Sequence, residues 1–485
     1  MSEERDSSKK VVKGLFWAYL ENIAVQFVGF LVSVILARIL SPDDYGTISL
    51  VMVFISIANV FVTSSFSYAL VQNKQSDELD YNTMYWFSQA ISIVLFSIIF
   101  FCAPLIANYY NNSELTLIIR VLSIRIPLSA YNSIQMAHVS RNLAFRKSFL
   151  TNSGGALISA VIGIVLAYSG GGIWALVAQN ISQVVGSTFF MMLAVSWRPK
   201  WMFSFERLKT MYSFGWKLLV TGLLATGYSE LRALVIGKKY STADLGYYDK
   251  GYTFPKFIAA NIDSTITRVL FPTLSKHQEN QDEMKLMTRR AIKTSNYIMT
   301  PVLFGLALLA EPVVHLLLTD KWLPCVPYLQ IMCFVWWLQP VQSCSIQALK
   351  ATGRSDLYLK VEIVSKIIGI LLLVVTVNIF HSVIAIAYSM LIGQVVSLIL
   401  YTLATQKVTG YTLIEQGLDL LIPCVLSVVM CIIVWLIGQI IHHVVVSLIL
   451  SVLCGATTYC LVSYLFKVEE FRYLKGVIVK LIVRK

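Results

Sequence analysis

Apolar runs of about twenty residues, the length a helix needs to cross the hydrocarbon core of a bilayer, follow one another along almost the whole chain. They fall near 14–40, 46–71, 83–107, 115–140, 150–168 and 173–196, then near 212–237, 246–272, 293–318, 326–350, 358–380 and 382–405, with two more near 417–440 and 444–466. That is about fourteen transmembrane helices, arranged as six, six and two. The signal is weakest at 115–140, which carries Arg120 and Arg125, and at 246–272, which is polar for a span. Only 13% of the 485 residues are charged and 57% are hydrophobic. A soluble domain is nearer one-quarter charged, and no aqueous fold hides so much apolar surface. The fold class is therefore an all-α integral membrane protein. The charged start, Met1 to Lys13, leads into an apolar run too long for a signal peptide, so this run reads as an uncleaved first span.

The net charge of +13 sorts by side of the membrane. One set of loops and the tail hold Lys9, Lys10, Lys13, Arg141, Arg146, Lys147, Arg198, Lys200, Arg207, Lys209, Lys276, Lys285, Arg289, Arg290 and Lys293. Lys350, Arg354, Lys360, Lys467, Arg472, Lys475, Lys480, Arg484 and Lys485 belong to the same side. The opposite loops hold little beyond Lys238, Lys239 and Lys321. The positive-inside rule then places both termini in the cytoplasm, with the basic loops against anionic lipid heads. No single basic face with interleaved aromatics exists, so nucleic acid is not an expected partner. The loops are short. The longest, near 273–292, mixes charges with apolar residues and is expected to form a surface helix.

A six-residue stretch occurs twice. Ser41-Pro42-Asp43-Asp44-Tyr45-Gly46 and Ser241-Thr242-Ala243-Asp244-Leu245-Gly246 share Ser, Asp and Gly at an offset of 200 residues. Both read S-x-x-D, the capping-box pattern that opens a helix, so Ser41, Asp44, Ser241 and Asp244 are expected helix caps. Pro42 suits a first helical position. Trp17 with Trp216, and Phe54 with Phe254, extend the correspondence. Spans one and seven both leave the cytoplasm. The halves are therefore expected to be parallel repeats with a substrate site between them: 1–200, 201–405, and an extra pair of helices with a basic tail in 406–485.

Little points to catalysis. None of the eight cysteines forms C-x-x-C, and most sit in apolar runs as small packing residues. Ser169-Gly170-Gly171-Gly172 lacks the following Lys-Ser/Thr of a phosphate loop. His442-His443 lacks a third metal ligand, and no metal site is expected. Asp43-Asp44 could be a metal-binding acidic pair of a membrane glycosyltransferase. However, the repeat replaces Asp43 by Ala243 and keeps Asp244, which favours capping. No catalytic residue is assigned, and the chain reads as a carrier rather than an enzyme.

Charges within spans are expensive and face a cavity or a partner. They are Glu21, Arg125, Lys217, Glu230, Arg232, Lys256, Asp263, Arg268, Glu362 and Lys366. Glu362 and Lys366 can pair along one helix turn. Lys217, Lys256 and Arg268 can snorkel to an interface.

Several ordered motifs are similar to those of a known family. Ala37-Arg38-Ile39-Leu40 running into Ser41–Gly46, Arg141-Asn142-Leu143-Ala144-Phe145-Arg146-Lys147 and Gly172-Ile173-Trp174-Ala175-Leu176-Val177 carry the likeness in the first half. Ile236-Gly237-Lys238-Lys239-Tyr240, Leu245-Gly246-Tyr247-Tyr248 and Arg268-Val269-Leu270-Phe271-Pro272-Thr273-Leu274-Ser275 carry it in the second. The chain resembles bacterial oligosaccharide-lipid flippases of the polysaccharide-transporter branch of the MOP superfamily, nearest the colanic-acid and teichuronic-acid exporter type. The resemblance implies two six-helix lobes and the flipping of undecaprenyl-pyrophosphate-linked oligosaccharide across the bacterial inner membrane by alternating access. It implies no cofactor beyond a proton or sodium gradient, and a polysaccharide polymerase and glycosyltransferases as partners. On that reading Arg125, Arg232, Arg268 and Lys217 are candidates to hold the pyrophosphate and sugar, because a guanidinium's planar fork of donors suits phosphate. Glu21, Glu230 and Asp263 are candidate charge partners or coupling-ion ligands. The alternatives are a cation-coupled multidrug exporter of the same fold, which deep arginines disfavour, and a membrane glycosyltransferase or polymerase.

Overall fold

The computed structural model describes residues 2–63, 70, 76–441 and 443–483; the side chains of 2–16, 18, 214 and 477–483 are left out of the account. The chain is helical, with no strand among the described residues. In order the helices are α1 (Ser2–Ile39), α2 (Pro42–Thr63), α3 (Glu78–Tyr110), α4 (Glu114–Ser123), α5 (Arg125–Arg141), α6 (Phe145–Tyr168), α7 (Ile173–Ala194), α8 (Phe205–Lys239) and α9 (Thr242–Lys276). They continue as α10 (Gln281–Leu308), α11 (Ala310–Leu318), a 3₁₀ turn (Asp320–Cys325), α12 (Val326–Trp337), α13 (Gln339–Ala351), α14 (Ser355–Ile379) and α15 (Val383–Thr409). The last three are α16 (Leu413–Ile440), α17 (Val444–Leu465) and α18 (Glu469–Val483). The chain packs as two compact units, residues 1–246 and 247–485.

Helix starts are set locally. Asp77 and Asp80 open α3, and Thr412 and Glu415 open α16, each pair as a reciprocal capping box. In the first unit α6 and α7 cross where Gly155 and Gly186 face each other: a Cβ on Gly155 would lie 2.7 Å from the Ser187 nitrogen. Small residues at such a crossing let two backbones approach closely, which is how helices associate when lipid supplies no hydrophobic drive.

Among the described residues eleven helices are long and apolar enough to span a bilayer, or twelve if α10 and α11, bent by 70° at their junction, make one span. The expected fourteen spans are thus not all confirmed by length and apolarity. The 35 residues of α9 are ample in length, but Asp244, Asp249, Lys250, Lys256, Asp263, Arg268 and Lys276 break its apolar run. The expected span at 326–350 is divided at Leu338 into α12 and α13.

The expected surface helix at 273–292 is also corrected. α9 runs on to Lys276, α10 begins at Gln281, and Asn280 caps α10 by accepting from the Asp282 and Glu283 amides. The charges of this stretch have packing partners in the second unit. Lys285 Nζ lies 2.8 Å from Glu415, and Arg289 grips Asp419 through Nε at 2.6 Å and Nη2 at 2.8 Å. Lys293 reaches Glu469 at 3.0 Å and Glu470 at 2.7 Å. These ion pairs fasten α16 and α18 to α10. Arg484, Lys485 and His442 lie outside the described residues, as do 64–69 and 71 of the expected second span. His443 caps α17 by accepting from the Val446 amide.

Candidate functional site

Both copies of the repeated stretch form capping boxes. The Ser41 Oγ and amide donate to Asp44 Oδ2 at 2.7 and 2.9 Å, and the Asp44 amide donates back to Ser41 Oγ at 3.2 Å. Ser241 and Asp244 repeat this at 2.7, 3.2 and 3.0 Å. The two helix starts then meet. A Cβ on Gly46 would sit 1.7 Å from the Thr242 carbonyl oxygen, and one on Gly246 would sit 2.0 Å from the Pro42 carbonyl oxygen. The contact is reciprocal, each glycine lying against the residue after the other copy's capping serine. Only a residue without Cβ permits such an approach. Thr242 Oγ1 also donates to Asp43 Oδ1. Asp43, which the sequence leaves without a role, thus joins the first copy to the second. No sequence signal announces this bond, because Thr242 stands where the first copy has Pro42.

The charged candidates separate by environment. Arg125 opens α5 with Nη1 donating to Asn180 on α7 and lying 3.6 Å from Met52 Sδ, while its Nε is buried without an acceptor. Arg232 on α8 is 5% exposed, stacks 5.3 Å over the Tyr228 ring, and likewise has a buried Nε without an acceptor. Arg268 and Lys217 are exposed, Lys217 on α8 and Arg268 on α9. The ion pairs of the described residues include none of these four cations. Buried guanidinium donors are nearly always paired. Two that are not, on cations outside every ion pair of the described residues, suit an anionic group brought from outside. Asn180 and Tyr228 were not singled out in the sequence. The amides Gln179, Asn180 and Gln183 in an apolar helix are the signal the sequence offers there.

The acids divide similarly. Glu21 Oε1 accepts from Asn152 Nδ2 at 2.6 Å. Glu230 is half-buried on α8, two residues before Arg232. In the second unit Asp263 Oδ2 accepts from Ser343 Oγ at 3.0 Å, and Oδ1 is buried without a partner. Amides lead to this carboxylate: Gln339 Nε2 donates to Ser343 Oγ at 3.1 Å, and Gln394 Nε2 donates to Gln342 Oε1 at 2.8 Å and to Gln339 Oε1 at 3.4 Å. Glu362 and Lys366 pair at 3.4 Å along α14, and Tyr401 Oη donates to Glu362. Among the described residues no cluster of His, Cys, Asp and Glu could hold a metal ion.

The chain is similar to several known proteins. The chain is 23% identical to the lipopolysaccharide biosynthesis protein WzxC of Escherichia coli over 426 residues, covering 86% of each chain. It is 22% identical to the teichuronic acid biosynthesis protein TuaB of Bacillus subtilis, covering 72% of this chain and 73% of that one. Its fold overlays that of the lipid II flippase MurJ, in an inward closed conformation, with a TM-score of 0.74 at 15% identity, covering 93% of this chain and 98% of that one. The sequence profile of the family described as polysaccharide biosynthesis protein matches residues 35–327, well over half the chain, and the protein belongs to that family.

Proposed function

We infer that this multi-pass membrane protein is a transporter, not an enzyme, and that it flips a lipid-linked oligosaccharide for polysaccharide synthesis. The observation that carries this is a nearly full-length overlay on a lipid flippase by a chain of the polysaccharide biosynthesis family. The physical demand agrees. A pyrophosphate headgroup cannot enter hydrocarbon without losing its water, so a carrier must offer cations and hydrogen bonds along an enclosed path. Arg125 and Arg232, with their unused donors, supply these; Lys217 and Arg268 meet the headgroup at the interface. The membrane is the bacterial inner membrane, with both termini cytoplasmic as the basic loops require and anionic lipids against them. The cargo lipid is undecaprenyl pyrophosphate, delivered by glycosyltransferases and passed to a polymerase.

Transport proceeds by alternating access, and the contact between the two capping boxes closes the outer side until the helix starts part. Asp263 is the lead candidate for coupling to a proton or sodium gradient, because one of its oxygens is buried and unsatisfied. Glu21 and Glu230 balance the cationic path. The test is flipping of a fluorescent undecaprenyl-pyrophosphate-linked saccharide in proteoliposomes. Wild type should move it to the far leaflet, and Arg125→Ala and Arg232→Ala should each stop it with protein levels intact. Absence of flipping by wild type, with or without an imposed ion gradient, overturns the reading. Normal flipping by both alanine variants overturns the cationic path.

A further inference from the structure

The first unit holds a cavity of about 480 Å³ between α2, α5, α6 and α7. Thr63, Ser129, Asn132, Ser133, Ser140 and Asn152 make its polar wall, and no charged residue is among the described residues that line it. Inside a bundle of membrane helices this is unusual ground. Polar groups at membrane depth are tolerated only against protein partners or a wet cavity, and several of these lack protein partners. Asn132 donates through Nδ2 to Thr188 Oγ1 at 2.8 Å, but its Oδ1 is buried with nothing to accept from. The Ser129 and Ser140 side chains make no hydrogen bond within the described protein. Asn152 donates to Glu21 and retains its carbonyl oxygen.

We propose that this cavity is the saccharide subsite of the carrier and that it takes uncharged, hydroxyl-bearing sugar units in preference to acidic ones. The inference rests on the reading of the protein as a flippase of lipid-linked sugar, and it names which sugars suit that site. The orphaned Asn132 oxygen needs a donor. A sugar hydroxyl donates to it and in turn accepts from a serine, whereas a carboxylate can only accept. No cation is among the described residues that line the cavity, and Glu21, one hydrogen bond behind Asn152, repels a uronate. The placement also suits a tethered sugar. Arg125 precedes Asn132 by seven residues on α5, two helical turns or about 10 Å along nearly the same face. A headgroup phosphate held by Arg125 would leave its first sugar residues within reach of the cavity.

The experiment measures binding of three lipids to the protein in nanodiscs by native mass spectrometry: undecaprenyl pyrophosphate, the same lipid carrying glucose, and the same lipid carrying glucuronic acid. Glucose should tighten binding over the bare lipid, and glucuronic acid should not. Ser129→Ala and Ser140→Ala, which remove only a hydroxyl, should each lessen the gain from glucose by about fivefold, the worth of one neutral hydrogen bond, and leave bare-lipid binding unchanged. Asn132→Leu should remove the gain; because Asn132 also holds Thr188, the two serine variants carry the conclusion if it fails to fold. Equal tightening by both sugars, or a glucose gain that survives both serine variants, overturns the subsite while the bare lipid still binds. Failure of wild type to bind any of the three overturns the flippase reading and the subsite with it.

Discussion

Replacing Gly46 by Ala tests the contact between the two helix starts directly. The new Cβ would start 1.7 Å from the Thr242 carbonyl oxygen, and real Cβ contacts need at least 3.0 Å, so the two helix starts must separate by about 1.3 Å, the difference of those distances. The obstacle is backbone, so no side-chain rotation relieves it. Overpacking typically destabilises by about 1–3 kcal/mol, and separation also weakens the bond from Thr242 to Asp43, worth about 1 kcal/mol. A combined shift of about 3 kcal/mol changes the ratio of closed to open forms by about 100-fold. Hydrogen exchange read by mass spectrometry should show the amides of residues 42–48 and 242–246 losing protection in Gly46→Ala, with polysaccharide export lowered. Gly29→Ala is the control, since nothing lies within 4 Å of its added Cβ. Wild-type protection and export in Gly46→Ala would refute the claim that this approach closes the molecule.

Ser41→Ala removes one cap and should lower thermal stability by about 1 kcal/mol, while Asp43→Ala should leave the fold intact and weaken only the contact to Thr242, seen as faster exchange at 242–246. Arg289→Ala leaves the Asp419 carboxylate, 6% exposed, with Tyr411 as its remaining hydrogen-bond donor; the loss should be about 2 kcal/mol in a thermal unfolding assay, below the usual figure for a buried pair because Arg289 is partly in water. Glu469 is held below the usual glutamate range chiefly by the hydrogen bond and charge of Lys293. Its tether is therefore fully present above about pH 4.3 and is lost as the pH falls through the lowered value. Limited proteolysis should cut α18 faster in strong acid and not at neutral pH, and Glu469→Gln should remove that pH dependence.

Much of the fold was legible in the sequence because its causes are local. A membrane span is a run of apolar residues, and a capping box joins residues three apart, so hydropathy and the S-x-x-D pattern suffice to place helices and their starts. The spans that length and apolarity do not confirm are those where local rules conflict. α9 is long but studded with charge, and 326–351 is apolar in part but divided at Leu338. The charges near 273–292 looked like a surface helix because their partners are distant: Lys285 and Arg289 each find an acid 130 residues away.

The candidate site divides along the same line. The sequence by itself determined that this chain is a helical membrane protein with a duplicated helix-start motif and a few cations inside its spans, since length, hydropathy and spacing along one helix decide those things. Tertiary structure decided which cations keep unused donors. Arg125 meets Asn180, 55 residues on, and Arg232 is buried, while Arg268 and Lys217 are exposed. It also decided that the two motif copies touch, through Thr242 and Asp43, 199 residues apart. Contacts at such separations depend on how whole helices pack, and packing is fixed by many weak contacts at once, so no short stretch of sequence records them.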